Sequence, residues 1–403
     1  MGISTQKDYK FTIQTQESKQ ESTVQQNGLK IGVPKEIMFQ ENRVALSPLS
    51  VGLLVQNGHQ VIMQSGAGKG SNFSDHHYSE QGAQIVEEAT EVYTADILVK
   101  IASPTLEEIR LMKPRQTLLS FQQPHLMGVQ ELKLLMQKKI TALSYECLKD
   151  EAGNSMVVEA MGEIIGSTAV LIAAEYLSNV FGGKGLMLGG ITGIPPTEIV
   201  IIGADTVGEF ATRTAIALGA QVKLFDDSVY RLKRLQDLVG NRLYTSIMQP
   251  KLLNKAVKSC DVVIGAISST GSRTPCVLSE DVISKMKPDS VLIDTCMDRG
   301  GCFETSEITT HQNPIFRKHE VIHYCVPNIP SRVARTATYS LTNILTPLML
   351  NMGERGGING LIWSDQSTRT AIYLYNGALT SKDMAERFGL SAKDLNLIAL
   401  SKF

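Results

Sequence analysis

Short apolar runs alternate with helix-period stretches from residue 29 onward. The apolar runs of the first part are "LKIGV", "HQVIM", "ADILV", "QTLLSF" and "ITALSYE". Between them, residues 106–112 and 129–138 repeat apolar side chains at helical spacing, and "PLSVGLLVQNG" predicts a helix closed by Gly58. Strands that alternate with helices indicate a parallel sheet with right-handed crossover connections. The pattern predicts a first domain that starts at residue 29 and runs to residue 156.

A second alternating unit follows the glycine-rich stretch "GGKGLMLGGITGIPP". A helix is predicted before it at 159–181, and five apolar runs come after it: "EIVIIGA", "QVKLFDD", "CDVVIGAI", "SVLIDTC" and "EVIHYCV". Such a series predicts a doubly wound parallel sheet. A further helix at 336–352, followed by a polar tail, is expected to cross back to the first domain. The fold class predicted is therefore α/β, with a discontinuous domain at 29–156 plus 335–403, a second domain at 157–334, and a cleft between them.

Composition narrows the classes of function. The 39 basic and 40 acidic residues leave a formal charge of −1, which disfavours a nucleic-acid partner. No uninterrupted apolar stretch approaches the ~18 residues that suggest a membrane span. Residues 1–28 are rich in Gln, Ser, Thr and Lys, and we expect a disordered tail.

The six cysteines and the histidine pair predict no metal site. The cysteines form no C-x-x-C pair and mostly lie in apolar runs, which is typical of reduced core residues in a cytoplasmic protein. His76 and His77 are adjacent in sequence and therefore face different ways, so we expect an exposed loop there.

The stretch "EIVIIGADTVGEF" approaches a dinucleotide-binding fingerprint. Its strand leads into a loop whose predicted cofactor contacts are Gly203, Asp205, Thr206, Val207 and Gly208. The usual pattern is G-x-G-x-x-G, in which the middle glycine lets the backbone approach a pyrophosphate. Asp205 holds that place, where its charge would repel the ligand unless the side chain caps the following helix instead.

Asp226, at the end of the next strand, supports the nucleotide hypothesis. A carboxylate there can accept hydrogen bonds from the adenosine ribose and would repel a 2′-phosphate, so NAD is favoured over NADP. Aspartates at strand ends also serve as helix N-caps, and the alternative is a doubly wound domain that no longer binds a dinucleotide.

Five stretches together resemble the alanine dehydrogenases and the NAD-binding component of proton-translocating transhydrogenase. They are "KIGVPKEIMFQENRVALSP", "GHQVIMQSGAGKGSNFSD", "GGKGLMLGGITGIPP", "VLIDTCMDRGGCFETS" and "YCVPNIPSRVARTATYSLTN", and the resemblance covers about residues 29–385. It implies two Rossmann-like domains, the first completed by C-terminal helices, with NAD and a small amino or keto acid in the cleft. It also implies a homo-oligomer.

The resemblance assigns roles to three residues. Arg43 matches the arginine that holds the substrate carboxylate, a task for which a guanidinium fork is suited. Asp298 matches the active-site aspartate near the nicotinamide and the substrate amine. Asn328 matches an amide on the nicotinamide side of the cleft. The alternative for Arg43 is a surface ion pair. For Asp298 and Asn328 the alternative is an ordinary turn residue.

Two departures weaken the resemblance where chemistry is concerned. Ala102 stands where the family has a lysine that polarises the substrate carbonyl, and Gln123 stands at the place of its catalytic histidine. Neither can titrate. His125, two residues on, is the candidate replacement, with an exposed loop histidine as the alternative, and Lys100 is expected to be structural.

The sequence therefore supports three hypotheses. The first is an NAD-dependent alanine dehydrogenase-like oxidoreductase that converts L-alanine to pyruvate and ammonium by hydride transfer. The second is a transhydrogenase-like NAD-binding subunit, because the substitutions at Ala102 and Gln123 resemble the transhydrogenase branch of the family. The third is a non-catalytic regulatory homologue.

Overall fold

Two α/β units make up the structure, a computed structural model that describes residues 28–122, 127–240, 242–268 and 273–400. The predicted tail at 1–28 lies almost wholly outside these residues. The strands before the linking helix are β1 (Lys30–Val33), β2 (Gln60–Gln64), β3 (Gln84–Val86), β4 (Ile97–Val99), β5 (Thr117–Ser120) and β6 (Thr141–Ser144). The helices are α1 (Pro48–Gln56), α2 (Asp75–Ser79), α3 (Ala89–Val92), α4 (Leu106–Leu111), α5 (Val129–Gln137) and the linking helix α6 (Met156–Leu177).

The second unit contains seven strands and four helices among the described residues. The strands are β7 (Glu198–Ile202), β8 (Gln221–Phe225), β9 (Tyr244–Ser246), β10 (Val262–Gly265), β11 (Val291–Asp294), β12 (Ile315–Lys318) and β13 (Val321–Tyr324). The helices are α7 (Thr206–Ala217), α8 (Val229–Val239), α9 (Pro250–Ser259) and α10 (Glu280–Ile283).

The chain then returns to the first unit. The remaining elements are α11 (Ala334–Glu354), α12 (Ile358–Ser364), α13 (Gln366–Ala371), β14 (Ile372–Tyr375), β15 (Ala378–Leu379), α14 (Lys382–Phe388) and α15 (Leu395–Leu400). The expectation of a polar tail after α11 is wrong. Tyr373 and Leu374 are buried because β14 pairs antiparallel with β6 and extends the first sheet.

Both sheets have the doubly wound order. The first runs β15-β14-β6-β5-β4-β1-β2-β3 and the second runs β12-β13-β11-β10-β7-β8-β9. Within each, the parallel strands follow the order 3-2-1-4-5-6, and the order reverses at β1/β4 and at β7/β10. Ligands of such sheets bind at the carboxyl ends of the strands beside this reversal. The fold class predicted from the sequence is confirmed.

Helix α6 packs closely on α7. A Cβ at Gly166 would come 2.2 Å from the carbonyl oxygen of Val207, so only glycine permits this approach. Val157 and Met161 belong to the core of the first unit, whereas Ala169 and Leu177 belong to the core of the second. By length and hydropathy α6 could cross a membrane, but half of its most apolar window is buried, as expected for a core helix.

Candidate functional site

A buried ion cluster lies at the carboxyl edge of the first sheet, and the loop after β1 contributes Glu36 to it. Lys100, at the end of β4, is 1% exposed, and its Nζ lies 2.6 Å from Glu108 Oε1 and 3.2 Å from Glu36 Oε2. Burial would lower the pKa of Lys100, but the two carboxylates outweigh it and raise that pKa. Glu36 Oε1 also accepts the backbone N–H of Ile101 at 2.6 Å. Lys100 is thus a structural cation, as the sequence predicted.

Arg43, from the same loop, is held by Glu41. Arg43 Nε donates to Glu41 Oε1 at 2.8 Å, and Nη2 donates to Glu41 Oε2 at 2.7 Å. Burial alone would raise the pKa of Glu41, but the adjacent guanidinium and its hydrogen bonds lower that pKa. The pair is therefore ionised, and Arg43 is a buried residue with 5% of its surface exposed. The alternative of a surface ion pair is wrong.

The two domains meet at this pair. Asn328, which follows β13, donates from Nδ2 to Glu41 Oε2 at 2.9 Å. Two further hydrogen bonds join Ser331 to the same loop: its Oγ accepts the N–H of Asn42 at 2.8 Å and donates to the carbonyl of Gln40 at 2.7 Å. Arg43 and Asn328, assigned separately from the sequence, are thus brought together through a carboxylate that the sequence did not single out.

His311 is a second residue that sequence reasoning missed. Its Nε2 lies 2.8 Å from the carbonyl oxygen of Asn328, and its backbone N–H donates to Gln40 Oε1 at 2.5 Å. Burial lowers the pKa of His311, so the ring is neutral at neutral pH and donates to this carbonyl. Its place in "TTHQNP" between two strands gave no periodic signal, because it lies in a loop and only its backbone contact with Gln40 crosses the cleft.

The fingerprint loop of the second domain has the shape that a dinucleotide site needs. Gly203 has φ +114°, and a Cβ there would come 2.1 Å from the carbonyl oxygen of Ala266. A Cβ at Gly208 would come 1.9 Å from the carbonyl oxygen of Gly203. Both positions therefore require glycine. Thr206 and Val207 begin α7 and pack their side chains near Gly162 of α6, which leaves their backbone N–H groups at the helix N-terminus.

A cavity of about 540 Å³ opens beside this loop. It is lined by Gly203, Asp226, Asp227, Arg231, Met248, Pro250, Leu253, Asn254, Ile267, Ser268, Pro275 and Val277. The cavity lies at the carboxyl ends of β7, β8 and β10, at the reversal of strand order. Apolar side chains opposite carboxylates suit an adenine and its ribose.

Asp226 lies on this cavity, but its carboxylate is already engaged. It is 2% exposed, and it accepts the N–H of Ala204 at 2.8 Å, the N–H of Ser228 at 2.7 Å and the Nε of Arg231 at 2.9 Å. Two of these three donors bind Oδ1 and one binds Oδ2, so the remaining acceptor capacity lies chiefly on Oδ2, since a carboxylate offers about four lone-pair sites. Asp227, by contrast, is exposed on the cavity.

Asp205 does not cap α7 through its side chain. It is the residue before the helix, but its carboxylate makes no capping hydrogen bond. Instead Oδ1 lies 3.7 Å from Arg231 Nε, at a position where both side chains are about one-third exposed. The capping alternative is wrong, and the charge of Asp205 has a cationic neighbour.

Family models match both halves of this architecture. Residues 32–165 match the N-terminal domain of alanine dehydrogenase/PNT, and residues 169–382 match the C-terminal domain. The chain belongs to the alanine dehydrogenase/PNT family. It is 37% identical over 369 residues to alanine dehydrogenase 2 of Staphylococcus aureus strain Mu50, covering 91% of this chain and 98% of that protein.

Two solved structures share this architecture. An L-alanine dehydrogenase structure matches with a TM-score of 0.84 and 34% identity, covering 89% of this chain and 99% of that one. A transhydrogenase from Sinorhizobium meliloti matches with a TM-score of 0.75 and 23% identity over 88% of this chain and 99% of that one, which shows the shared fold.

Asp298, the aspartate that the family resemblance assigned, lies in an exposed turn. The turn Met297–Arg299 follows β11 at the carboxyl edge of the second sheet. Asp294 fixes the base of this turn, because its carboxylate accepts the N–H of Cys296 at 2.9 Å and that of Cys302 at 2.8 Å. The turn therefore presents Asp298 from a rigid base.

Asp294, Cys296 and Cys302 also form a group whose ligand atoms lie within 4.8 Å of one another. Burial raises the pKa of the Cys302 thiol well above its usual value, so it is a protonated thiol next to the Asp294 carboxylate. With Asp294 already accepting two backbone N–H groups and the hydroxyl of Ser306 at 2.6 Å, the group is explained as structural support.

The remaining predicted residues contribute less. His125 and Gln123 lie outside the described residues. His76 and His77 are exposed, as expected, but they lie in helix α2 rather than a loop, since His77 completes a capping box with Ser74. All six cysteines are free thiols, although Cys276 is exposed rather than in the core.

Proposed function

We propose that the chain is an NAD-dependent oxidoreductase acting on the CH–NH₂ group of a small amino acid, with L-alanine and pyruvate plus ammonium as the pair to test first. The bridge across the cleft, from Arg43 through Glu41 to Asn328, carries this proposal. It places a guanidinium suited to a carboxylate next to the second domain, whose glycine loop suits a dinucleotide. The membership of the family and the names of its relatives support the same reaction.

The residues that would hold NAD lie on the second domain. Gly203 and Gly208 leave room for the pyrophosphate, and the first-turn N–H groups of α7 at Thr206 and Val207 are donors of the kind that bind it. Asp226 would accept a ribose hydroxyl on its Oδ2 side. When bound, the nicotinamide would supply or accept the hydride.

The substrate would be held and protonated by this chain's own groups. Arg43 would bind the carboxylate through the N–H groups that Glu41 leaves free. Asp298 would hold or release a proton at the substrate nitrogen. Because Ala102 and Gln123 replace the family's titratable residues, we expect turnover lower by about 10²–10⁴-fold than in a relative that has both.

The direct test is NADH oxidation by the purified protein with pyruvate and ammonium at alkaline pH. We expect slow, ammonium-dependent loss of NADH absorbance, and NADPH should be a poorer donor. NADH binding without any turnover on a series of small 2-oxo acids would contradict the dehydrogenase proposal. Failure to bind NADH at all by calorimetry would favour the regulatory alternative.

One observation favours a second candidate, a transhydrogenase-like NAD-binding subunit. Lys100 is held between Glu36 and Glu108, so it is not available to take the role of the lysine replaced by Ala102, which would polarise a keto group. Exchange of hydride between two nucleotides does not need that cation. Hydride exchange that appears only when an NADP-binding partner is added would support this candidate.

We further propose that the protein is a cytoplasmic homo-oligomer. The segment before β7 exposes Val180, Phe181, Met187, Ile191 and Ile194, an apolar group of the sort that protein interfaces cover. Light scattering coupled to size exclusion would test the assembly, and replacing Met187 and Ile191 by serine should weaken it. The six free thiols are consistent with a reducing compartment, which fractionation of the source cells would test.

A further inference from the structure

We infer that Glu41 is a positioning residue: it sets the orientation in which Arg43 receives the substrate carboxylate and ties that orientation to Asn328 of the second domain. The inference rests on the proposed function and identifies a residue that the family resemblance left unassigned. Glu41 touches neither a reacting atom nor the cavity beside Gly203, so its effect is exerted through Arg43.

The contacts of Arg43 with the part of the chain that the structure describes leave one edge of the guanidinium for a ligand. A guanidinium has five N–H groups in a plane. Glu41 takes Nε–H and one N–H of Nη2 at 2.8 and 2.7 Å. The ring of Phe121 covers a face, with its centroid 5.3 Å from Cζ. At the remaining edge, the one contact that Nη1 makes to the described residues is with the sulfur of Met161 at 3.7 Å, a weak acceptor that a carboxylate can displace.

The carboxylate of Glu41 is what makes this arrangement stable. Its side chain is fully excluded from solvent, and the backbone N–H of Arg43 donates to it at 3.0 Å as well. A buried guanidinium without an anion would be strongly unfavourable, so loss of the carboxylate would release Arg43 from its orientation. The free edge would then no longer face a fixed place in the cleft.

Asn328 extends the same constraint to the other domain. Its amide donates to Glu41 Oε2, the oxygen that also accepts Arg43 Nη2. Domain separation would break this hydrogen bond and leave Glu41 anchored only on its own domain. The orientation of Arg43 and the closed position of Asn328 are therefore coupled, and the carboxylate site is complete only when the cleft is closed.

The test measures binding rather than turnover. Glu41→Gln keeps the size of the side chain but removes its charge. Calorimetry would follow oxamate, an unreactive mimic of pyruvate, binding to protein saturated with NADH, and NADH binding alone. We expect oxamate to bind Glu41→Gln at least about tenfold more weakly, a loss of roughly 1.4 kcal/mol, while NADH binds within about twofold of the wild type.

Ser331→Ala is the matched control. It removes two hydrogen bonds between the same loop and the second domain but leaves Glu41 and Arg43 in place. Because looser closure also reaches the carboxylate site, we expect a small loss of oxamate affinity, well below the loss in Glu41→Gln. If Ser331→Ala weakens oxamate binding as much as Glu41→Gln does, the effect is a general loosening of the loop and the inference is wrong.

The other outcomes are equally decisive. Unchanged or tighter oxamate binding by Glu41→Gln would overturn the inference while leaving the proposed function intact. A wild-type protein that binds neither NADH nor oxamate would remove the proposed function, and this inference with it. If Glu41→Gln does not fold, Glu41→Asp is the variant to measure. It keeps the charge but is one methylene too short to reach Arg43 and Asn328 together. Weaker oxamate binding by this variant supports the inference, and binding equal to the wild type refutes it.

Discussion

Arg231 Nε lies 3.7 Å from Asp205 Oδ1, and Nη2 of the same guanidinium lies 2.8 Å from Asp226 Oδ1. One cation therefore serves both the aspartate that replaces the middle glycine of the fingerprint and the aspartate expected at the ribose. The negative charge that the sequence places against a pyrophosphate is offset by a residue on the following helix. Both Asp205 and Arg231 are about one-third exposed, so solvent weakens this compensation without removing it.

The first prediction is that Arg231 strengthens NADH binding by offsetting the charge of Asp205. Replacing Arg231 with glutamine should weaken NADH binding by about tenfold, since Asp205 is then uncompensated near the pyrophosphate. Asp205→Gly alone should tighten binding by less than tenfold, because Arg231 already offsets most of the charge. When Asp205 is already glycine, Arg231→Gln should weaken NADH binding clearly less than it does in the wild type.

Calorimetric titration of NADH into the wild type, the two single variants and the double variant completes a double-mutant cycle. Additive effects would mean that Arg231 acts on NADH independently of Asp205, for example only through Asp226. Tyr230→Ala, at an exposed position adjacent in sequence, is the control and should leave NADH binding unchanged.

The sequence predicted the α/β fold class with two mostly parallel sheets, because long β-branched runs and helix-period stretches are local signals. It missed the short strands β3, β9 and β12. It also missed β14 and β15, which join the first sheet through the pairing of β14 with β6, a distant part of the chain. At the candidate site it found Arg43 and Asn328 as motif residues. It could not find Glu41 and His311, because their importance depends on contacts between the two domains, and such contacts leave no periodic pattern.

The second prediction concerns the position of the missing lysine. Ala102 is buried at the end of the β4 loop, and its N–H lies 3.3 Å from Glu36 Oε2. Introducing lysine there should raise kcat/KM for pyruvate by about 10²-fold, the usual contribution of a polarising or acid–base group. Ala102→Met, which adds length without charge, should not raise it. Equal gains in the two variants would mean that pocket shape rather than charge limits the reaction.

The third prediction concerns stability. Lys100→Met would leave the carboxylates of Glu36 and Glu108 buried without a cation, and we expect a loss of about 3–5 kcal/mol in the free energy of unfolding. Adding Glu108→Gln to that variant should restore part of the loss. Urea unfolding would measure both, with Lys133→Met on the exposed face of α5 as a control that changes little. A Lys100→Met variant as stable as the wild type would show that the cluster is ionised differently.

The fourth prediction is a pH dependence that originates in His323. This ring is fully buried in β13, with Nδ1 3.0 Å from the carbonyl oxygen of Val321 and Nε2 2.8 Å from Thr305 Oγ1. The carbonyl can only accept, so Nδ1 carries the hydrogen and Nε2 accepts from the threonine hydroxyl. Burial lowers the pKa of His323 from its ordinary value of 6.5, which keeps the ring neutral in the folded protein.

The sign of the effect follows from proton binding. Below 6.5 the unfolded chain takes up a proton that the folded chain does not, so the free energy of unfolding falls as pH drops from 6.5 toward the lowered pKa. Above 6.5 both states are neutral and His323 gives no slope. Burial also lowers the pKa values of His59 and His311, which add slopes of the same sign.

His323→Gln can keep both hydrogen-bonding partners without titrating, and its stability should fall less between pH 7 and pH 5, a range of roughly two units around the ordinary histidine pKa. Urea unfolding across this range is the measurement, with the exposed His76→Gln as control; parallel pH profiles for wild type and His323→Gln would show that the buried ring is not a source of the acid sensitivity.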